Sequence, residues 1–166
     1  MTIEFKHLVY DRQYYLEHPK TVNEDLMMCV EISDSCFNWC ENLTNIEIPS
    51  SVTKINKNCF TNCHNLSKII ISNSVKEIDD GCFTCCYNLT KIEIPNSVKI
   101  IDNYCFGHCS NLTEIEIPNS VIEIGYHCFY NCNNLTKMDI LNSVMDDNSY
   151  MSEGLTKIGN NCFIDI

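Results

Sequence analysis

The 166-residue chain contains no alanine, a single arginine (Arg12) and only 5 glycines. Lys and Arg number 11 against 22 Asp and Glu, which gives a formal charge of −11. So few cations exclude the basic clusters that displace counterions from nucleic acid, and they disfavour docking on anionic lipid. No apolar run approaches the length of a membrane-spanning helix, so no membrane insertion is expected. The opening residues, Met1 to His7, lack an uninterrupted apolar stretch, and a secretory signal peptide is not expected. The scattered glycines form no P-loop, Rossmann fingerprint or G-x-S-x-G elbow, and H-E-x-x-H is absent too. No cofactor, resident metal or enzymatic reaction is implied. These absences point to a soluble, cytoplasmic, non-enzymatic protein.

Cysteine, by contrast, is abundant, with 13 residues. In a short exported chain such a count suggests a disulfide framework. The odd number, the missing export signal and the regular spacing point instead to reduced thiols packed as small apolar residues.

That spacing is a repeat. Leu43, Leu66, Leu89, Leu112 and Leu135 follow one another every 23 residues. From each Leu the pattern reads L-T-x-I-x-I-P-x-S-V-x-x-I-x-x-x-C-F-x-x-C-x-N, most clearly from Leu89 to Asn111. Cys36-Phe37, Cys59-Phe60, Cys82-Phe83, Cys105-Phe106 and Cys128-Phe129 keep the same period. Cys162-Phe163 returns after 34 residues, one period plus an insertion of 11. A short period with apolar residues at fixed offsets marks a solenoid, because one repeat cannot bury its own apolar face.

Residues 1–25 do not repeat, and they are expected to cap the first open edge or to recruit another protein. The repeat domain spans 26–166. It comprises a partial repeat at 26–42, full repeats from 43, 66, 89 and 112, and an interrupted last repeat at 135–166. The insertion lies near 144–154, after which Leu155 to Ile158 resume the phase of Val52 to Ile55.

Within a repeat, Ile92 and Ile94 alternate with Lys91 and Glu93, as in a short strand with the isoleucines inward. Pro95 has no N–H to donate and ends the pairing. Val98 and Ile101 turn back to the core. The residues after the last inner Ile of each repeat (Asn56, Asp79, Asp102, Gly125 and Gly159) suit tight turns and positive φ. Cys105, Phe106 and Cys109, at i, i+1 and i+4, suit one face of a short helical turn with Phe106 as core filler.

At these residues the chain resembles the BspA-like leucine-rich repeat family, whose units run near 23 residues. The family pattern has an Ala-Phe pair followed by Cys. Here Cys-Phe is followed by Cys63, Cys86, Cys109 or Cys132, with Cys standing for Ala in a chain that has none. The resemblance runs from about residue 26 to the end. It implies an α/β repeat solenoid, a right-handed leucine-rich repeat coil with one parallel β-sheet and short helical turns opposite. It also implies protein binding on the strand-lined concave face, and for many members a place at the cell surface.

The outward strand positions form two columns, Asn45, Lys68, Lys91, Glu114 and Lys137 beside Glu47, Ile70, Glu93, Glu116 and Asp139. This rigid, variable strip is the expected site for a protein partner, with Ile70 as its apolar anchor. The insertion, with Asp146, Asp147, Tyr150, Met151 and Glu153, is the other candidate contact. The C-x3-C pairs, such as Cys59/Cys63, allow a metal- or thiol-handling alternative. Zinc sites more usually show C-x2-C, and each Cys here sits at core phase. Cys63-His64 and His127-Cys128 are neighbours in sequence, but side chains diverge by about 100° on a helical turn. The Asn-Leu-Thr/Ser triplets at Asn42, Asn65, Asn88, Asn111 and Asn134 are formal glycosylation sequons. Their recurrence before each inward Leu suits an asparagine ladder that satisfies backbone groups. A surface adhesin for host or matrix protein is the alternative function. The chain ends at Ile166, where the next inward residue would fall, so self-association through that edge is also expected.

Overall fold

The computed structural model describes residues 9–10, 29–140 and 157–162. The insertion near 144–154, the C-terminal edge and all of 1–25 except Val9–Tyr10 lie outside the described residues.

Every strand is short. In chain order they are β1 (Val9–Tyr10), β2 (Glu31–Ile32), β3 (Asn45–Ile48), β4 (Lys54–Ile55), β5 (Lys68–Ile71) and β6 (Glu77–Ile78). There follow β7 (Lys91–Glu93), β8 (Ile100–Ile101), β9 (Glu114–Ile117), β10 (Glu123–Ile124), β11 (Lys137–Ile140) and β12 (Lys157–Ile158). Each coil contributes one longer and one two-residue strand, so two parallel ladders run along the solenoid where one sheet was expected. The even-numbered strands form a 7-stranded sheet with β1 at its end, in the order β1-β2-β4-β6-β8-β10-β12. The longer strands divide into a β3-β5 pair and a β11-β9-β7 trio. The second ladder exists because the chain turns twice. Val52, Val98 and Val121 donate backbone N–H bonds to Pro49, Pro95 and Pro118 three residues earlier. These turns re-aim the chain, and the next x-Ile pair finds its own neighbour one coil away.

The phase of the repeat is as read. Ile46, Ile48, Val52, Ile55, Cys59, Phe60 and Cys63 are buried in one coil, and their equivalents are buried in the next. Ile124 pairs with Ile158, which shows that the repeat resumes in register beyond the insertion. Val9–Tyr10 pairs in parallel with Glu31–Ile32, at the edge where a cap was expected.

The expected helical turn is absent, and no helix occurs among the described residues. Two residues with positive φ bracket each Cys-Phe pair: Ser35 and Trp39, Asn58 and Asn62, Gly81 and Cys85, Tyr104 and His108, His127 and Asn131. Left-handed backbone every fourth residue prevents a right-handed helix from propagating. The hydrogen bonds alternate instead. Asn58, Phe60 and Asn62 donate N–H to Asp80, Cys82 and Thr84 of the next coil at 2.8, 2.8 and 2.9 Å. Thr61 and Cys63 donate back within their own coil, to Asn58 and Phe60. The i, i+1, i+4 spacing therefore reports a bracketed turn that hydrogen-bonds from coil to coil.

The positive φ values fall on these residues and not on the set Asn56, Asp79, Asp102, Gly125 and Gly159. The last two are glycines because the coils touch there. A Cβ on Gly125 would stand 2.3 Å from the Asn103 nitrogen, and one on Gly159 would stand 2.1 Å from that of Tyr126.

Phe37, Phe60, Phe83, Phe106 and Phe129 are fully buried and stack face to face at 5.1, 5.4, 5.4 and 5.4 Å. Phe83→Ala is expected to cost about 3–5 kcal/mol. Because repeats couple through their neighbours, hydrogen exchange should rise first in the coils around residue 83. Unchanged melting would contradict the stacking role. Gly125→Ala is expected to cost about 1–3 kcal/mol by overpacking, which chemical denaturation would measure.

Candidate functional site

Pleating puts the two predicted columns on the outer side of the longer strands. Asn45, Glu47, Lys68, Ile70, Lys91, Glu93, Glu116, Lys137 and Asp139 are exposed, and Glu114 is half-buried. Register aligns them from coil to coil: Asn45 with Lys68, Glu47 with Ile70, Lys91 with Glu114 and Lys137, Glu93 with Glu116 and Asp139. Two depressions lie on this face. One, of about 260 Å³, is lined by residues including Lys91, Glu93, Glu114, Glu116, Lys137 and Asp139. The other, of about 490 Å³, lies where β5 meets β7 and includes Lys68, Ile70, Lys91 and Glu93. β5 and β7 are not hydrogen-bonded neighbours, so the second depression sits at the break between the pair and the trio. Asn45 and Glu47 line neither depression.

Ion pairs run both along and across the columns. Lys91 pairs with Glu114 at 2.9 Å, and Lys137 with Asp139 at 3.0 Å. The first pair holds the Glu114 carboxyl below its usual range and the Lys91 ammonium above it, chiefly through their mutual hydrogen bond. Both shifts favour the charged pair at neutral pH. It is lost as pH falls through the lowered Glu114 value or rises through the raised Lys91 value. In the other column Glu93, Glu116 and Asp139 are register partners of one sign, an arrangement that strands ordinarily avoid, and of the three Asp139 has Lys137 as its cation.

The asparagine ladder is structural. Asn65 Nδ2 donates to the Glu41 carbonyl at 2.8 Å, and Asn134 Nδ2 donates to that of Ser110 at 2.8 Å. Asn88 Nδ2 reaches Asn65 Oδ1 at 3.3 Å. An N-linked glycan would need the same nitrogen.

The sequence reading missed an aromatic surface on the Cys-Phe turns. Trp39, His64 and Tyr87 form one ring series, with Trp39 edge-on to His64 and His64 stacked on Tyr87. A second series links Tyr126, Tyr104, His127, Tyr130 and His108. These rings come from five offsets, of which Trp39 with His108, His64 with Tyr87, and Tyr104 with His127 each share one, so no single column carries the series. Their signal is the opposite of periodicity: large rings at positions where other repeats carry Asn, Ser or Thr.

The chain matches the sequence profile of the BspA type leucine rich repeat region over residues 30–166, in 6 copies. It belongs to that family. Among solved structures it is similar to a leucine-rich cell surface protein from Faecalibacterium prausnitzii, with a TM-score of 0.70 and 30% identity over 77% of this chain. It is similar also to the leucine-rich repeat protein of T. pallidum, at 0.67 and 30% over 80%. A leucine-rich repeat protein of Bacteroides ovatus gives 0.57 and 26% over 82%. The chain spans 33%, 63% and 39% of these proteins respectively. No curated protein matches it by sequence. No helix among the described residues is long and apolar enough to cross a membrane.

In this BspA-type solenoid the 13 cysteines are thiols, buried except for half-buried Cys85. The second Cys of each coil has a polar task. Cys63, Cys86, Cys109 and Cys132 donate S–H to the Phe37, Phe60, Phe83 and Phe106 carbonyls, at 2.9, 3.2, 3.2 and 3.0 Å. Burial pushes the Cys59, Cys86, Cys105 and Cys109 thiols well up, and Cys132 to about 12. Metal ligation and nucleophilic attack both require the thiolate, which these sites oppose. The adjacent His residues do not help: Cys63 faces the core, whereas the rings of His64 and His127 join the exposed aromatic series.

One carboxylate group also escaped the sequence reading. Glu77, Asp79 and Asp102 bring oxygens within 4.8 Å of one another. Its signal was the one-period spacing of Asp79 and Asp102. Asp79 Oδ1 and Asp102 Oδ1 already accept the N–H groups of Asp80 and Asn103.

Thiol titration of the native protein should therefore find Cys85 reacting first, with the other 12 released only on denaturation. Rapid native reaction of several thiols would contradict the buried ladders.

Proposed function

We propose that this solenoid is a non-enzymatic protein-binding scaffold whose strand face receives a partner carrying basic groups around an apolar residue. The observation that carries this reading is Ile70, 45% exposed at the rim of the depression between β5 and β7. An isolated apolar side chain in a charged strip supplies a desolvated centre. The aligned Glu93 and Glu116 supply its polarity, Asp139 being paired with Lys137. A column of like charges is relieved when cations from a partner lie across it, so Lys or Arg is the matching chemistry. The rigid ladder holds these groups in place before binding, which reduces the ordering cost.

The strand columns rank ahead of the insertion as contacts, because two depressions bring eight of the ten candidate residues together. The cytoplasmic reading rests on the thiol ladders and the engaged asparagines, both suited to a reducing, unglycosylated setting. Display at a cell surface as an adhesin is the second reading, favoured by the F. prausnitzii relative, itself a cell surface protein.

Capture of partner proteins by the intact chain tests the site. Ile70→Asp is expected to weaken capture by about 2 kcal/mol or more. Glu93→Lys with Glu116→Lys should reverse the preference from basic to acidic partners, with capture of the acidic ones now weakened by salt. Undiminished capture by both folded variants, with loss on deleting 145–154, would move the site to the insertion. Light scattering on the same samples separates self-association from capture.

A further inference from the structure

The Cys-Phe turns form an uncharged face on this acidic chain, already free of Asp, Glu, Lys and Arg at Asn58 to Ser67 and Gly81 to Thr90, and the last coils add a cluster of rings to it. From Asn103 to Thr113, from Tyr126 to Thr136, and at Asn160 to Cys162 there is no Asp, Glu, Lys or Arg. In their place the rings of Tyr126, Tyr104, His127, Tyr130 and His108 form a continuous path, with successive centroids 5.0, 5.0, 5.3 and 5.2 Å apart. Tyr104 and Tyr126 are exposed. Beside this path lies an open groove of about 420 Å³, within the about 300–1,000 Å³ usual for small-ligand sites. Gly125 and Gly159 line it together with Tyr126, His127, Asn103, Asn160 and Asn161, and so do Glu123 and Lys157, whose opposite charges are paired with each other. Asn103 is fixed there, since its Oδ1 accepts the Tyr126 N–H at 3.1 Å.

The turns of every coil hold residues with positive φ, Ser35, Trp39 and Cys85 among them. Tyr104, His108 and His127 have φ of 52°, 60° and 52°. Equivalent positions in other coils carry Asn58, Asn62, Asn131 and Asn161, the residue type that tolerates this conformation. A tyrosine held left-handed costs more than asparagine, and such outliers gather at functional sites. Packing does not require these rings, because the coils of Asn58 and Asn62 stack without them.

We infer that this turn face binds a neutral glycan chain. The C–H faces of a sugar ring carry partial positive charge and seat on the negative face of an aromatic ring. Planar amides pair with neighbouring hydroxyls, and a surface without fixed charge suits a ligand without any. The ring path is the platform, and the amide-lined groove takes one sugar unit at its end. This surface is separate from the strand face, so both can be occupied together.

Affinity electrophoresis of the intact chain through gels containing laminarin, galactomannan, mannan, dextran or hydroxyethyl cellulose tests the inference, with alginate as the anionic comparison. Retardation is expected in at least one neutral gel and not in alginate. Tyr126→Ala should weaken it about tenfold or more, whereas Tyr126→Phe keeps the ring and the binding. Tyr104→Asn restores the residue type of Asn58, so it keeps the turn while removing a ring, and it too should bind less. Ile70→Asp, on the opposite site, should bind as wild type. Absence of retardation in every neutral gel overturns the inference, as does retardation unchanged by both Tyr126→Ala and Tyr104→Asn. Loss of a captured protein in Tyr126→Ala, without any glycan binding, assigns the face to protein docking and overturns it equally.

Discussion

Translation by one coil is the constraint on which the rest of this structure depends. Two parallel ladders and the turn-to-turn bonds join each residue to its own equivalent 23 positions away, so every side chain stacks on its counterpart. For uncharged groups this is favourable. Phe lies on Phe at about face-stacking distance, Asn amides bond to the coil before, and each second Cys satisfies a phenylalanine carbonyl. Alanine at the second-Cys position would lose the volume of the sulfur and leave that carbonyl with one bond fewer.

For charged groups the same translation is costly, since like would lie on like. One strand column answers this by alternating Lys91, Glu114 and Lys137, and the Lys91–Glu114 ion pair follows, while Lys137 reaches across to Asp139. The neighbouring column does not alternate, because Glu93, Glu116 and Asp139 share one sign. Within a single face the fold thus shows both a solved and an unsolved version of the same electrostatic problem. The unsolved column is the part that a partner can complete.

The buried phase was legible in the sequence because Leu, Ile, Val and Phe recur at fixed offsets, and a period of 23 admits one stacking register. The outward strand columns were legible for the same reason, since alternation around Ile92 and Ile94 leaves Lys91 and Glu93 one direction to point. The turn was misread because Cys105, Phe106 and Cys109 have helical spacing, while the decisive residues, Tyr104 and His108, are not types that announce positive φ. Had every coil carried Asn at both places, as Asn58 and Asn62 do, the left-handed bracket would have been readable. The two-ladder arrangement was hidden by the brevity of strands such as Lys54–Ile55, too short to show alternation.

The bonds that make the coil tolerant also explain where new chemistry collects. The Tyr104 N–H is held by the Tyr126 carbonyl at 3.0 Å, and that of His108 by the Tyr130 carbonyl at 2.7 Å. With the peptide groups fixed from the next coil, the backbone keeps its left-handed turn whatever side chain it bears, and the local preference of that side chain is overruled. Side chains there point away from the Phe stack, so their identity is free of the packing demands that fix the core. The strand columns have the same freedom for a different reason, pleating. A solenoid of this kind therefore offers two surfaces that its own folding leaves unspecified, and in this chain one is written in charges and the other in rings.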